Sequence, residues 1–390
     1  MLRDGLRLLV ALLVVTAGVG AVATTAGAQT AQDAPTAATT GASTDAAQND
    51  DCTFPVTLED AKGTEVTIEE RPESVVALQP SAAQTMWAIG AEAQVTGMPV
   101  SRYTDYLDGS EDKTDISQND GVSISAETVV SLEADLLLAP NSTPDETIAQ
   151  FRDVGMTVYE FREAESVEDI YEKTNRTGRL TGNCEGAAEA VAEMRTEIEV
   201  VQEAVSGEEP ETVYYQMGGG YTAGADTFIN HVIELGGGEN IAVAANVTGY
   251  AQLSGEVIAE QNPEWVLVNE EMGLQETEAL ANTTALREDQ IIEVNANYLN
   301  QPGPRVVVPI SEIAQAIHPE AYEEANVSVR GEAEAEAEAE AGGNDSDGTT
   351  ADDANDSGGE SDNDGQPGMG VAPAVAALVG TLALLTRRRD

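Results

Sequence analysis

NCEGAAEAVAEMRTEIEVVQEAVSG, residues 183–207, is the stretch on which the organisation of this chain turns. Ala187, Val191, Met194, Ile198, Val201 and Val205 recur in alternating steps of four and three, the period of one helical face. Asn183 suits an N-cap, Glu185 the positive end of the helix dipole, and Gly207 the stop. About 23 residues at about 1.5 Å each make a rod of about 35 Å, the length of a small domain. Such a helix serves either as the core of one domain or as a link between two. The flanks favour the link, because both alternate short apolar strands with helices over similar lengths.

On the N-terminal side, Phe54 to Ile68 alternates around a glycine-containing turn and predicts a β-hairpin. Strands are predicted at Ser74–Leu78, Val95–Val100, Asp135–Ala139 and Thr157–Phe161. Helices are predicted at Ser81–Ile89, Ala126–Leu132, Pro144–Val154 and Ser166–Leu180. On the C-terminal side, strands at Thr212–Met217, Trp265–Asn269 and Ile291–Asn295 alternate with helices at Asp226–Leu235, Ser254–Gln261 and Ile310–Ile317. Short apolar strands between helices imply parallel sheets covered on both faces. SAETVVSLEADLLLA (residues 125–139) and SGEVIAEQNPEWVLV (residues 254–268) share Ser-x-Glu, a helix, an acidic residue and an apolar strand. The fold class is therefore α/β, two lobes joined by one long helix with a ligand cleft between them. Domain boundaries follow: an N-terminal lobe over 52–165, a helical connector over 166–207 and a C-terminal lobe over 208–330.

The flanking segments carry a different composition. Residues 1–28 read as a secretory signal, with Arg3 and Arg7 before an apolar run and Ala26-Gly27-Ala28 at the cleavage site; an uncleaved anchor is the alternative. Residues 29–51 are a linker poor in large apolar groups, and 331–366 an acidic, low-complexity spacer. An apolar run from Val371 to Thr386 followed by Arg387-Arg388-Arg389 makes 367–390 a membrane-anchoring tail. Export makes Cys52 and Cys184, the only cysteines, a disulfide pair. It also exposes seven Asn-x-Ser/Thr triplets to glycosylation, at Asn141, Asn175, Asn246, Asn282, Asn326, Asn344 and Asn355.

The charge balance narrows the partners. Seventy acidic residues face 18 basic ones, for a net charge of −52 over 390 residues, which excludes a basic surface for nucleic acid. Two histidines, His231 and His318, are too few for a His-rich metal site. Adjacent tyrosines Tyr214-Tyr215 lie on a strand, where only one of two neighbours faces a cleft. No nucleophile elbow, phosphate loop or catalytic cysteine is present, and no enzyme activity, cofactor or metal is expected. Ligands of open α/β lobes lie beyond the carboxyl ends of the strands. That rule selects Ser81, Tyr103, Tyr106 and Asn141 from the first lobe, and Tyr221, Glu270, Tyr298 and Arg305 from the second. The expected partner is a small molecule, bound by a monomer. A cell-surface structural protein without a transport role is the competing reading.

FPVTLEDAKGTEVTIEERPESVVALQPSAAQTMWAIGA (residues 54–91), ETVVSLEADLLLAP (127–140), TFINHVIELGGGENIA (227–242), SGEVIAEQNPEWVLV and PGPR (302–305) followed by HPE (318–320) appear in that order. As a set they resemble the substrate-binding proteins of the vitamin B12, haem and ferric-siderophore class of ABC importers, over about Cys52 to Glu324. The resemblance implies two Rossmann-like lobes joined by one long helix, and a corrinoid or iron-chelate ligand. It further implies a glutamate on each lobe that docks on permease arginines, at Glu127 and Glu256 here. The tail resembles an archaeal sorting signal with Met369 in place of the usual Phe, and the lysine-poor acidic composition resembles proteins of salt-loving archaea.

Overall fold

The computed structural model describes residues 52–118 and 123–343. By its contacts the chain divides into two compact units. Residues up to Met194 together with Ala296–Val306 make the first, and Arg195–Asn295 together with the chain from Val307 onward makes the second.

Five parallel strands form the sheet of the first unit, in spatial order Thr114–Asp115, Val95–Met98, Val75–Ala77, Leu136–Ala139 and Val158–Glu160. Strand order along the chain reverses between Val75–Ala77 and Leu136–Ala139. Alternate residues of these strands feed opposite faces, as the twofold period of a strand requires. Val75, Ala77, Leu136 and Leu138 pack with Met86 and Tyr159 on one face, and Val76, Leu137 and Ala139 with Val129 and Phe151 on the other. Helices Pro80–Ala88, Ala126–Ser131, Asp145–Asp153 and Val167–Thr181 supply the cover. The last opens with a capping box between Ser166 and Asp169 and stops at Gly182, whose φ is +72°. The predicted hairpin forms as Val56–Glu59 against Glu65–Ile68, and Val56, Leu58, Val66 and Ile68 turn into the core.

Four parallel strands make the second sheet, in spatial order Gly238–Asn240, Glu211–Gln216, Trp265–Asn269 and Ile291–Val294. Its order reverses between Glu211–Gln216 and Trp265–Asn269. A separate antiparallel pair, Tyr221–Ala223 with Tyr250–Gln252, follows the glycine run Gly218–Gly220.

The opening stretch forms one helix, Cys184–Val205. Asn183 begins it through its backbone, its carbonyl accepting from Ala187 N at 3.0 Å. Its side chain serves Arg71 and Gln94 rather than the helix end, which differs from the N-cap predicted. Cys52 is disulfide-bonded to Cys184 in the first turn. Ala187 and Ala190 belong to the core of the first unit, and Val200 and Ala204 pack with Ala325 and Val329 in the second.

Two features differ from the sequence reading. The helix is not the sole crossing, because the chain re-enters the first unit at Ala296 and leaves it after Val306. A final helix, Pro319–Gly343, runs past Arg330, where the sequence reading ended the core. Alternating Ala and Glu are both good helix formers, so low complexity here did not prevent a helix. The signal segment, the linker to Asp51, the spacer from 344, the apolar tail, Asn344 and Asn355 lie outside the described residues.

Candidate ligand-binding site

Where strand order reverses in an open sheet, the loops at the carboxyl ends part and leave a crevice. In the first unit those loops begin at Leu78 and Pro140, which places Ser81 and Asn141 on either side of that point. Tyr103 and Tyr106 come from the loop after Val95–Met98. Residues 296–306 complete this face, through the short helix Ala296–Leu299 and the turn at Pro304–Val306.

A chain of buried amides attaches that returning segment. Gln84, fully buried on helix Pro80–Ala88, donates from Nε2 to the Tyr106 hydroxyl at 2.9 Å and accepts Arg305 N–H on Oε1 at 3.0 Å. Tyr106 OH then donates to Gln301 Oε1 at 2.9 Å. Gln301 Nε2 in turn reaches the Tyr103 carbonyl at 2.8 Å and Asn297 Oδ1 at 3.1 Å. Asn297 Nδ2 donates to the Arg102 carbonyl at 3.0 Å. Gly303 is required here, since a Cβ would stand 2.5 Å from Gln84 Oε1. Burial pushes the Tyr106 phenol up to about 12, against the smaller opposing pull of Gln84 and Arg305. It stays neutral, with its hydroxyl occupied and its ring as the useful surface.

Arg305 lies beside two such rings. Its Cζ is 5.0 Å from the Tyr106 centroid and 5.3 Å from that of Tyr298, and NH1 donates to Tyr298 OH at 2.9 Å. The two rings meet edge to face at 5.4 Å. Beneath the segment, Lys173 is 8% exposed and its Nζ donates to the Pro302 carbonyl at 2.9 Å and towards Ser81 Oγ at 3.4 Å. Desolvation lowers its pKa to about 8.

The predicted residues are thus unequally placed. Tyr103, Tyr106, Tyr298 and Arg305 form one cluster in the first unit, with Ser81 joined to it through Lys173. Tyr298 and Arg305, expected on the second lobe, belong to the first unit by their contacts. Asn141 is exposed and outside the network. Tyr221 and Glu270 belong to the second unit. Tyr221 is exposed beside the glycine run, and Glu270 follows strand Trp265–Asn269 and accepts from Asn295 Nδ2 at 2.6 Å. Sequence reasoning missed Gln84, Lys173 and Gln301, while Asn297 stood beside Tyr298 in a loop it did select. Only Lys173 left a trace, sharing the inward face of its helix with Ile170, Thr174 and Thr177.

Other expectations fall as follows. Glu127 and Glu256 are exposed in the first turns of helices Ala126–Ser131 and Gly255–Gln261, each capped by a serine, Ser125 and Ser254. Tyr214 and Tyr215 are both buried, so neither tyrosine meets the surface. His231 packs against Phe228 on a helix, and neither its Nε2 nor that of His318 reaches a hydrogen-bond partner among the described residues. Asn246 and Asn282 are exposed in turns, Asn175 is exposed within a helix, and Asn326 accepts from Arg330 at 2.6 Å.

The periplasmic binding protein family profile matches residues 75–298. The chain belongs to that family. It is 41% identical over 353 residues to a cobalamin-binding protein of Halobacterium salinarum, covering 86% of this chain and 89% of that one. Two solved structures share the fold. The haem-binding RhuT of Roseiflexus superposes with a TM-score of 0.57 at 24% identity, over 64% of this chain and 99% of its own. The vitamin B12-binding BtuF of Vibrio cholerae gives a TM-score of 0.55 at 22% identity, over 65% and 98%. The relatives are binding proteins rather than enzymes, and extracytoplasmic ones.

Proposed function

We propose that this periplasmic binding protein captures a corrinoid outside the cytoplasmic membrane and delivers it to an ABC permease. The cobalamin-binding description of a relative matched over 86% of the chain carries the choice of corrinoid over iron chelate. The tyrosine-arginine cluster suits such a ligand. It offers the flat, neutral ring of Tyr106 and one guanidinium, and an apolar macrocycle rimmed by polar arms needs both. Ser81, Tyr103, Tyr106, Tyr298 and Arg305 are the proposed contacts on the first unit, and Tyr221 and Glu270 those on the second.

Glu127 and Glu256 are proposed to dock on permease arginines, supported by their matching exposure one residue into serine-capped helices. The protein acts as a monomer, tethered at the cell surface through its apolar C-terminal tail. Absorbance titration of the purified chain with cyanocobalamin, hemin and a ferric hydroxamate tests the ligand. Saturable binding of cyanocobalamin is expected, and binding of only the ferric chelate would overturn the proposal.

A further inference from the structure

The chain has 70 acidic residues against 18 basic ones, so carboxylates are abundant as partners for its cations. Lys62, Arg152, Arg176 and Arg330 each take one. Arg305 and Lys173, like Arg71, Lys113, Arg162 and Arg287, do not: among the described residues none of these has a carboxylate oxygen within 4.0 Å. Both meet the same turn, Lys173 reaching the Pro302 carbonyl from its helix and Arg305 lying three residues further along the turn.

The guanidinium is fixed in a particular way. Its backbone N–H is held by Gln84, NH1 by Tyr298 OH, and its plane stands beside two rings. Nε and NH2 have no partner among the described residues and are not sealed from solvent. Those two nitrogens form one edge of the guanidinium, with parallel N–H bonds spaced for two oxygens of a carboxylate or phosphate. Because the rest of the group is already bonded, little freedom is lost when the edge is used. Below it, Lys173 is a buried cation without a counter-charge, an arrangement that is unfavourable until an anion is supplied. Helix Pro80–Ala88, which carries Ser81 and Gln84, adds no acidic residue in its first turn to oppose this.

We propose that the free edge of Arg305, backed by Lys173, seats an anionic oxygen group of the bound molecule, a phosphodiester or a carboxylate. This rests on the macrocycle reading above and narrows it. The recognised ligand carries a charged arm, and Arg305 separates macrocycles that have the arm from those that lack it. A corrinoid would present the phosphodiester of its nucleotide loop, and a haem its propionates.

Two pairs of probes distinguish these sources: cyanocobalamin against dicyanocobinamide, which lacks the nucleotide loop, and hemin against its dimethyl ester. Affinities are measured for the full chain and for Arg305→Gln, with circular dichroism melts alongside. In at least one pair the unmodified protein is expected to bind the anionic member at least about tenfold more tightly. In Arg305→Gln that preference should fall to within about twofold, while Arg305→Lys keeps part of it. Equal affinity of the unmodified protein within both pairs would overturn the proposal, leaving the ligand class intact and needing no variant to fold. A preference that survives intact in a folded Arg305→Gln protein would overturn it as well. Binding of no macrocycle at all would overturn the ligand class itself, and this inference with it.

Discussion

Replacing Gly303 by alanine tests how the proposed ligand-facing surface of the first unit is held. The new Cβ would stand 2.5 Å from Gln84 Oε1 and 3.2 Å from its Cδ. Gln84 has no freedom to withdraw, since it is fully buried and both ends of its amide are bonded, to Arg305 N–H and to Tyr106 OH. Relieving the clash therefore breaks one of those bonds. Overpacking a filled site costs about 1–3 kcal/mol, and a buried group left unpaired about 1–3 kcal/mol more. Gly303 is not among the glycines with positive φ, so alanine returns about 0.4–1 kcal/mol by restricting the unfolded chain. The net expectation is a loss of about 1–5 kcal/mol, confined to the first unit. Trp87 lies in that unit and Trp265 in the other, so urea unfolding of Trp265→Phe proteins, followed by the fluorescence of Trp87, isolates the effect. In a Gln84→Ala background the clash disappears, and the same glycine substitution should cost close to nothing. A Gly303→Ala protein as stable as its parent, or costs that simply add in the double variant, would refute this account of the segment.

Opening the Cys52–Cys184 bond, which closes a separation of 132 residues, should lower stability by about 5 kcal/mol in the chain-entropy treatment. Thiol labelling of the unreduced, denatured protein should find no free cysteine. Lys173 is lowered to about 8 by burial from 10.5, so below pH 8 its native charge opposes folding and the unfolded chain binds more protons above it. First-unit stability should then rise between pH 8 and 10.5, by about 3 kcal/mol at most, and Lys173→Met should flatten the rise in the Trp87 assay. Glu312 is raised to about 7, chiefly by burial and then by Glu270. Its native state holds the proton more tightly, so second-unit stability, read through Trp265, should fall between pH 4.5 and 7 and lose that slope in Glu312→Gln. Glu127→Ala with Glu256→Ala should abolish uptake and leave ligand affinity unchanged, each lost arginine pair costing about 2–5 kcal/mol of docking. Glu260→Ala should do neither, and uptake by the double variant at the parental rate would end the docking reading.

Much of the fold was legible because it rests on local periodicity. The stripe from Ala187 to Val201 is buried along its length, and the apolar run Leu136–Ala139 fills both faces of a sheet as parallel strands demand. Tyr103 and Tyr106 were found by position, as scarce aromatics in a loop past a strand end. What could not be read is non-local. The bonds from Gln84 to Arg305 and from Tyr106 to Gln301 span 221 and 195 positions, and glutamine has no spacing rule that announces a buried role. For the same reason Tyr298 and Arg305 were placed with the lobe that surrounds them in sequence rather than the one that holds them. The final helix was hidden by composition, because repeats of Glu and Ala look like a solvated spacer yet favour a helix at every position.

The excursion of residues 296–306 sets an order on the protein's own making. A chain emerging from its N-terminus has every strand of the first sheet by Glu160, yet Gln84 still lacks Arg305 and Tyr106 still lacks Gln301. Gln301 and Arg305 arrive only after Val294, the last residue of the second sheet, has been made. The first unit to begin folding is therefore not finished until the whole of the second sheet has been made. A polypeptide cut short at Asn295 would own every strand of both sheets and still be missing the arginine and one tyrosine of the proposed ligand cluster. Nor can the protein be divided by a single cut in its long helix. A fragment ending at Met194 lacks the eleven residues that complete the first unit and close its proposed ligand face, and those residues would have to be grafted back before the piece could be asked to bind.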